Sequence, residues 1–262
     1  MPEIAGSMHL TSYDVVPYVS ASFPQTHPDR LATIARVFGL RPPDIRACRV
    51  LELGCAMGTN LLPMAWHLPG SEFVGVDASA TQVAAARQAQ ARLGLGNVMI
   101  EHASILDINE DWGVFDYVIC HGVYSWVDDE VRQKILSVAA RNLAPDGVAY
   151  VSYNTYPGWH MREAVRHMMK YHASHFDDVA DRLGQARAFV DFVAGAVDES
   201  SYYGALLREE VELVRSVRDS YLFHEHLEDV NSPEYFHQFV SAAAHHGLRY
   251  LGEAEFSTMV TA

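Results

Sequence analysis

The chain has 262 residues, 49% of them hydrophobic, and a formal net charge of −14. That size accommodates one large α/β domain, or one domain plus a fragment of another, and the composition excludes disorder. The acidic balance excludes a nucleic-acid backbone as the main partner, which concentrated Lys and Arg would bind, and favours cationic partners or simple solubility.

Three cysteines without paired spacing (Cys48, Cys55 and Cys120) point to a reduced, cytoplasmic protein. No apolar run reaches membrane-spanning length, so no membrane partner is expected. The first eight residues lack the basic region and apolar core of a signal peptide, and Gly6-Ser7-Met8 reads as an expression remnant.

Residues 1–45 form an N-terminal cap segment. Ser12-Tyr13-Asp14 and Val16-Pro17-Tyr18 give an aromatic, proline-punctuated lead-in. Thr26-His27-Pro28-Asp29 then predicts a helix start, with Leu31, Ile34, Ala35 and Phe38 at helical spacing and Gly39 and Pro42-Pro43 as the stop. Residues 46–171 form the core. Strands are expected at 49–53, 72–77, 97–102 and 115–120, with a helix over 80–93 closed by Gly94 and Gly96 and another over 129–143. Asp146-Gly147 turns into a fifth strand, Val148 to Tyr153. The near-continuous apolar character of Phe115–Cys120 is what a parallel sheet requires, and the alternation predicts a doubly wound α/β sheet. Residues 172–262 form a helical lid plus a returning strand. Helices are expected at 158–175, 177–197, 203–218 and 233–246, then a strand over 248–256.

The chemistry concentrates at Val50-Leu51-Glu52-Leu53-Gly54-Cys55-Ala56-Met57-Gly58-Thr59-Asn60, a strand running through a glycine-bearing turn into a helix. Gly54 and Gly58 let the main chain approach a ligand closely, and a helix start offers free N–H groups. Asp77, ending the second strand, suits the hydroxyls of a ribose. A dinucleotide site would want G-x-G-x-x-G, but Ala56 and Thr59 stand where the later glycines belong. Glu52 would repel a pyrophosphate and suits a ligand carrying an ammonium and a sulfonium.

Ligands of open α/β sheets bind at the carboxyl ends of the strands. After the third strand come Ser104, Ile105 and Asp107, at the same edge of the sheet. After the fourth and fifth come His121-Gly122-Val123-Tyr124-Ser125-Trp126 and Asn154-Thr155-Tyr156-Pro157-Gly158-Trp159. Tyr124, Trp126, Tyr156 and Trp159 either wall a channel that holds and desolvates an amine or form a hydrophobic seam. His121 and Tyr124, with His27 behind them, are candidate bases; for His121 the other reading is a residue that only lines the ligand site. The 14 histidines include close pairs (His172 and His175, His224 and His226, His245 and His246), but none has metal-site company, and no metal is expected.

The turn around Gly54, with Asp77 in register, resembles the first motifs of class I S-adenosylmethionine (SAM) methyltransferases, in which glycine is commoner at the place of Ala56. Ser12-Tyr13-Asp14-x-x-Pro17-Tyr18, Thr26-His27-Pro28, Asn60-Leu61-x-Pro63-Met64-Ala65, His121 to Val127, and Ser152-Tyr153-Asn154-Thr155-x-Pro157-Gly158-Trp159 resemble the bacterial group of these enzymes that carries a regulatory region. Tyr221-Leu222-Phe223-His224-Glu225-x-Leu227-Glu228-Asp229-x-Asn231 resembles the start of that region. The resemblance implies a Rossmann-like sheet with an N-terminal helical cap and an inserted lid. It implies SAM as cofactor, with S-adenosyl-L-homocysteine as product, held by Glu52, Gly54, Cys55, Ala56, Gly58, Asn60, Asp77, Ala78, Ser104, Ile105 and His121. Tyr18 and His27 would close over it. Tyr124, Tyr156, His121, Trp126 and Asn154 would serve methyl transfer. The group includes protein-lysine methyltransferases, so a lysine side chain is the expected acceptor; a small-molecule acceptor, or a non-catalytic SAM sensor, are the alternatives. The usual sheet has seven strands and this chain stops after the sixth, as expected for the front of a longer protein.

Overall fold

The computed structural model describes residues 11–19, 21–198 and 200–260; the readings of the first eight residues lie outside that range. Two compact units are present. The first holds the described residues of Met1–Tyr124, Asp129–Ser152 and Val240–Ala262; the second holds Ser125–Asp128 and those of Tyr153–Phe239.

The first unit is built on a five-stranded parallel sheet: β1 Arg49–Leu53, β2 Glu72–Asp77, β3 Val98–His102, β4 Phe115–Cys120 and β5 Leu143–Val151. The spatial order is β3-β2-β1-β4-β5, so the order reverses at β1. Its helices are α1 Ser12–Val15, α2 Pro28–Val37, α3 Leu61–His67, α4 Ala80–Leu93 and α5 Asp129–Arg141. This is the Rossmann-like sheet expected from the β-α alternation. Val50, Leu61, Met64, Phe73, Val83, Ala86, Val98, Ile100, Tyr117 and Ile119 share one core, packed beneath α2. The helix boundaries follow local chemistry. His27 is the N-cap of α2 and its Nδ1 accepts the Asp29 N–H at 3.2 Å. Gly94, in the left-handed region, closes α4.

Two expectations for this unit are corrected. Asp146-Gly147 does not precede β5 but lies within it. Phe115 pairs with Leu143 and Tyr117 with Val148, so the intervening residues bulge out, with Asp146 at φ 59°. Residues 248–256 are not a strand: they are irregular up to a 3₁₀ turn, Phe256–Met259. Among the described residues they pair with no strand, and propensity cannot hold a strand without a ladder.

The second unit contains β6 Thr155–Tyr156 and β7 Glu234–Tyr235, which pair in parallel, and the helices α6 Trp159–Ala173, α7 Val179–Ala196 and α8 Tyr202–Ser216. α7 packs on both α6 and α8. A short α9, Asp219–Leu222, runs directly into a π-helical turn, Phe223–Leu227, which nothing in the residue pattern signals. Phe236–His245 is α10, of which Phe236–Phe239 count with this unit and the residues from Val240 on with the first. The interior of this unit carries polar and titratable side chains. Arg166, Glu210, His224 and His226 are buried, and Arg166 donates to the Glu228 carbonyl. His224 Nδ1 lies 2.8 Å from Glu228 Oε1. Burial pushes Glu225 up to about 7 despite Arg162 and Arg166 nearby. Among the described residues no helix is long and apolar enough to cross a membrane.

Candidate functional site

The site begins at the reversal of strand order, where the β1 and β4 ends part. The turn leaving β1 is held by its own hydrogen bonds. The Gly54 and Cys55 N–H groups donate to the Val76 carbonyl at 2.8 and 3.0 Å, and Gly58 N–H donates to the Cys55 carbonyl at 2.8 Å. Three residues take positive φ: Gly54 at 73°, Ala56 at 48° and Gly58 at 74°. Ala56 is the one with a Cβ, at a cost of about 1–2 kcal/mol for a left-handed L-residue. The glycines differ in one respect from their sequence reading. The space a Cβ would fill at Gly54 is occupied by Val123 Cγ2, 2.5 Å from that position, and Leu62 and Ala86 stand at 3.1 to 3.4 Å in the same way at Gly58. Gly54 thus lets the loop after β4 close onto the turn after β1.

Asp77 sits at the end of β2, its carboxylate clamped to this turn. Oδ2 accepts the Ala56 N–H at 2.8 Å and Oδ1 accepts the Ser79 N–H at 2.9 Å. Burial pushes its carboxyl above the ordinary value, and these two amides oppose that push. Ser79 caps α4 and donates its hydroxyl to Asp14 Oδ1 at 2.6 Å; Thr81 N–H reaches the same oxygen. The N-terminal segment is therefore pinned beside Asp77.

Glu52, on β1, is 3% exposed. Its Oε1 accepts from Asn60 Nδ2 at 2.6 Å, while its Oε2 and the Thr59 hydroxyl are buried without a hydrogen-bond partner. Burial, with Asp77 nearby and only Asn60 in opposition, pushes the Glu52 carboxyl up to about 8. An unsatisfied buried carboxyl costs stability unless a donor completes it. A ligand ammonium meets that need, so the residues present fit SAM.

His121 follows β4. Its ring lies 3.7 Å, centroid to centroid, from that of Phe23, and its Nδ1 is 3.0 Å from the Tyr150 hydroxyl. Burial pulls it down to about 4, so it is neutral at pH 7. Ser104 and Asp107 form a reciprocal cap on the short turn Ile105–Asp107, and Ile105 is half-buried. Ala78 is exposed, with its carbonyl 3.1 Å from His102 Nε2. Tyr18 is half-buried. Burial also lowers His27, whose ring serves the α2 cap.

Of the aromatic residues, Tyr124 is buried in the first unit, with the Arg132 guanidinium 6.0 Å from its ring. The others lie in the second unit. Trp126 and Trp159 meet edge to face at 6.4 Å. Arg166 stands over the former and Arg162 over the latter, so both indoles already face cations of the protein. Trp159 Nε1 donates to Asn231 Oδ1 at 2.9 Å. Asn154 N–H donates to Ser125 Oγ at 2.8 Å, and its carbonyl accepts the Glu234 N–H. Tyr156 stacks on His160 at 4.0 Å, lies 5.3 Å from the Tyr235 ring, and donates its hydroxyl to Glu163 Oε2 at 2.8 Å. Phe23, Tyr150, Glu163 and Tyr235 were not singled out from the sequence. Only Asp14 carried a signal there, as part of Ser12-Tyr13-Asp14.

The family described as "Methyltransferase domain" matches residues 50–147, and "Predicted methyltransferase regulatory domain" matches 218–262. Two proteins of Rickettsia prowazekii are similar along the chain. One, "Uncharacterized protein RP789", is 45% identical over 94% of this chain and 45% of its own length. The other, "Uncharacterized protein RP028", is 42% identical over 88% of this chain and 93% of its own. The solved structure of PKMT2 from Rickettsia typhi in complex with AdoHcy is 42% identical, with a TM-score of 0.86, over 94% of this chain and 48% of that one. The chain thus spans about half the length of the first of these relatives and of PKMT2. With the parallel sheet, the Glu52 turn and Asp77 in place, the chain belongs to the class I SAM-dependent methyltransferases of the bacterial group that carries a methyltransferase regulatory region.

Proposed function

We propose that the whole protein transfers the methyl group of SAM to the side-chain nitrogen of protein lysine. The observation carrying this reading is the Tyr156 cluster, in which two tyrosines and a carboxylate (Tyr156, Tyr235 and Glu163) come together on half-exposed surface. Aromatic faces and a carboxylate recognise an ammonium and the methylated ammoniums that follow from it. The name of the similar PKMT2 and the net charge of −14, which attracts lysine-rich segments, point the same way.

Bound SAM supplies a sulfonium-activated methyl group, which a neutral amine takes in line while the sulfur leaves as a thioether. In this reading Glu52 and Asn60 meet the methionine end, Gly54, Cys55, Ala56 and Gly58 shape the floor, and Asp77 with Ala78 grips the ribose. Ser104 and Ile105 border the adenine. His121, neutral and wedged between Phe23 and Tyr150, lines the site rather than acting as a base. Within the second unit, the Tyr156 cluster is the candidate contact for an acceptor lysine, and Trp126, Trp159 and Asn154 hold the loops that carry it. Well-oriented reactants gain about 7–11 kcal/mol from positioning alone, so displacement at the sulfonium needs little else.

The test is methyl transfer from labelled SAM into a lysate of the source cells, split into protein, nucleic-acid and small-molecule fractions. Label in protein, located on lysine by mass spectrometry, is the expected result. Label confined to small molecules, or no label with SAM bound, overturns the lysine reading.

A further inference from the structure

Between Glu52 and the N-terminal segment stands one side chain bonded to both. Asn60 Nδ2 donates to Glu52 Oε1 at 2.6 Å and to Thr26 Oγ1 at 3.0 Å, and its Oδ1 accepts the Phe23 N–H at 2.9 Å. Thr26 in turn donates its hydroxyl to the Phe23 carbonyl at 2.8 Å, and Ser22 donates to the Thr59 carbonyl at 2.7 Å. Phe23 lays its ring on His121. Segment 22–26 is thereby fastened by the residue that follows Thr59, and its aromatic ring covers the loop after β4.

An amide with both ends engaged is a rigid connector, because its donor and acceptor are fixed in one plane. Asn60 and Thr26 are buried, so neither has water to exchange with. Burial keeps the Glu52 carboxyl neutral at pH 7 in the absence of a cation. Its free Oε2 is the place where a cation would draw the proton off, and an ionised carboxylate strengthens the hydrogen bond it accepts from Asn60.

Resting on the reading of this turn as the SAM site, we propose that Asn60 is a positioning residue that couples a cation at Glu52 to the closure of Ser22–Thr26 over the site. Tighter acceptance by Glu52 fixes the Asn60 amide, and the fixed amide holds Phe23 N–H and Thr26 in place. Filling the methionine end then orders the strap, and an ordered strap retains the ligand; linkage makes the two effects equal.

The experiment uses the full-length protein and AdoHcy as probe, with hydrogen–deuterium exchange of peptides over 22–31 read beside calorimetric affinity. AdoHcy should slow exchange in Ser22–Thr26 at least tenfold in the native protein. In Asn60→Ala that slowing should disappear and affinity should fall at least tenfold. Thr26→Val, nearly isosteric and a safeguard should Asn60→Ala fold poorly, should keep Asn60 on Glu52 yet lose most of the slowing, with affinity severalfold weaker. Equal AdoHcy-induced slowing in the native protein and in either variant would overturn the coupling while leaving the site intact. No slowing in a native protein that binds AdoHcy does the same. A native protein that does not bind AdoHcy overturns the site reading itself.

Discussion

The backbone N–H of Ala56 donates to Asp77 Oδ2 at 2.8 Å, so the turn after β1 and the acid ending β2 form one rigid piece. Neither position is set independently of the other. Asp77→Ala removes both the proposed ribose acceptor and the clamp. AdoHcy affinity should fall at least about 100-fold, the scale of two charge-assisted hydrogen bonds. Calorimetry checks this, and unchanged affinity would remove Asp77 from the site.

Ala56 allows the opposite experiment. At φ 48° its methyl group stores about 1–2 kcal/mol, whereas glycine there loses only about 0.4–1 kcal/mol through a freer unfolded chain. Strain is the larger effect, so Ala56→Gly should raise stability by roughly 0.5–1 kcal/mol. Urea denaturation of the two proteins measures it.

Glu52 gives a pH signature. Its carboxyl moves from the ordinary 4.5 up to about 8 on folding because it is buried. Between those values the folded state holds a proton that the unfolded state has lost. Stability from this group therefore falls as pH rises through that window, by at most about 1.4 kcal/mol per pH unit. Glu52→Gln keeps the Oε1 acceptor for Asn60 and cannot ionise. Without ligand, its melting temperature relative to the native protein should rise steadily from pH 5 to pH 8. A constant offset over that range would mean Glu52 is not held neutral. The same variant should bind AdoHcy more weakly.

Tyr156 separates binding from turnover. Its hydroxyl, pushed up to about 12 by burial and by the Glu163 carboxylate that accepts its proton, remains a donor at any working pH. In Tyr156→Phe, AdoHcy affinity should stay within about twofold while kcat falls about 100-fold, the scale of a misplaced reactant. Equal losses in both would place Tyr156 on the cofactor instead.

In the second unit, Glu210 lies 3.5 Å from Arg162 Nε and 3.9 Å from the fully buried His226. Burial alone would raise its carboxyl, but His226 and Arg162 bring it below the ordinary value. Its stabilisation is thus present at neutral pH and lost as pH falls through the acid range. Glu210→Ala should cost about 1–3 kcal/mol, the usual effect of leaving a buried donor without its acceptor. A denaturation midpoint unchanged at pH 7 would refute this.

The amino-acid sequence by itself determined the sheet of the first unit. β1, β2, β4 and α4 begin and end where hydrophobic runs and glycines place them, because period and turn chemistry act over a few residues. It also singled out Glu52 and Asp77, since an acid two residues before Gly54 and another at the next strand end are legible as spacing. Tertiary structure alone decided the rest. That Gly54 makes room for Val123, that Asn60 joins Glu52 to Phe23, and that Arg162 and Arg166 face the two indoles are contacts between residues distant in the chain. The irregular course of 248–256 has the same origin: a strand exists through its neighbour's hydrogen bonds, and a pattern of alternating residues carries no information about whether a neighbour is there.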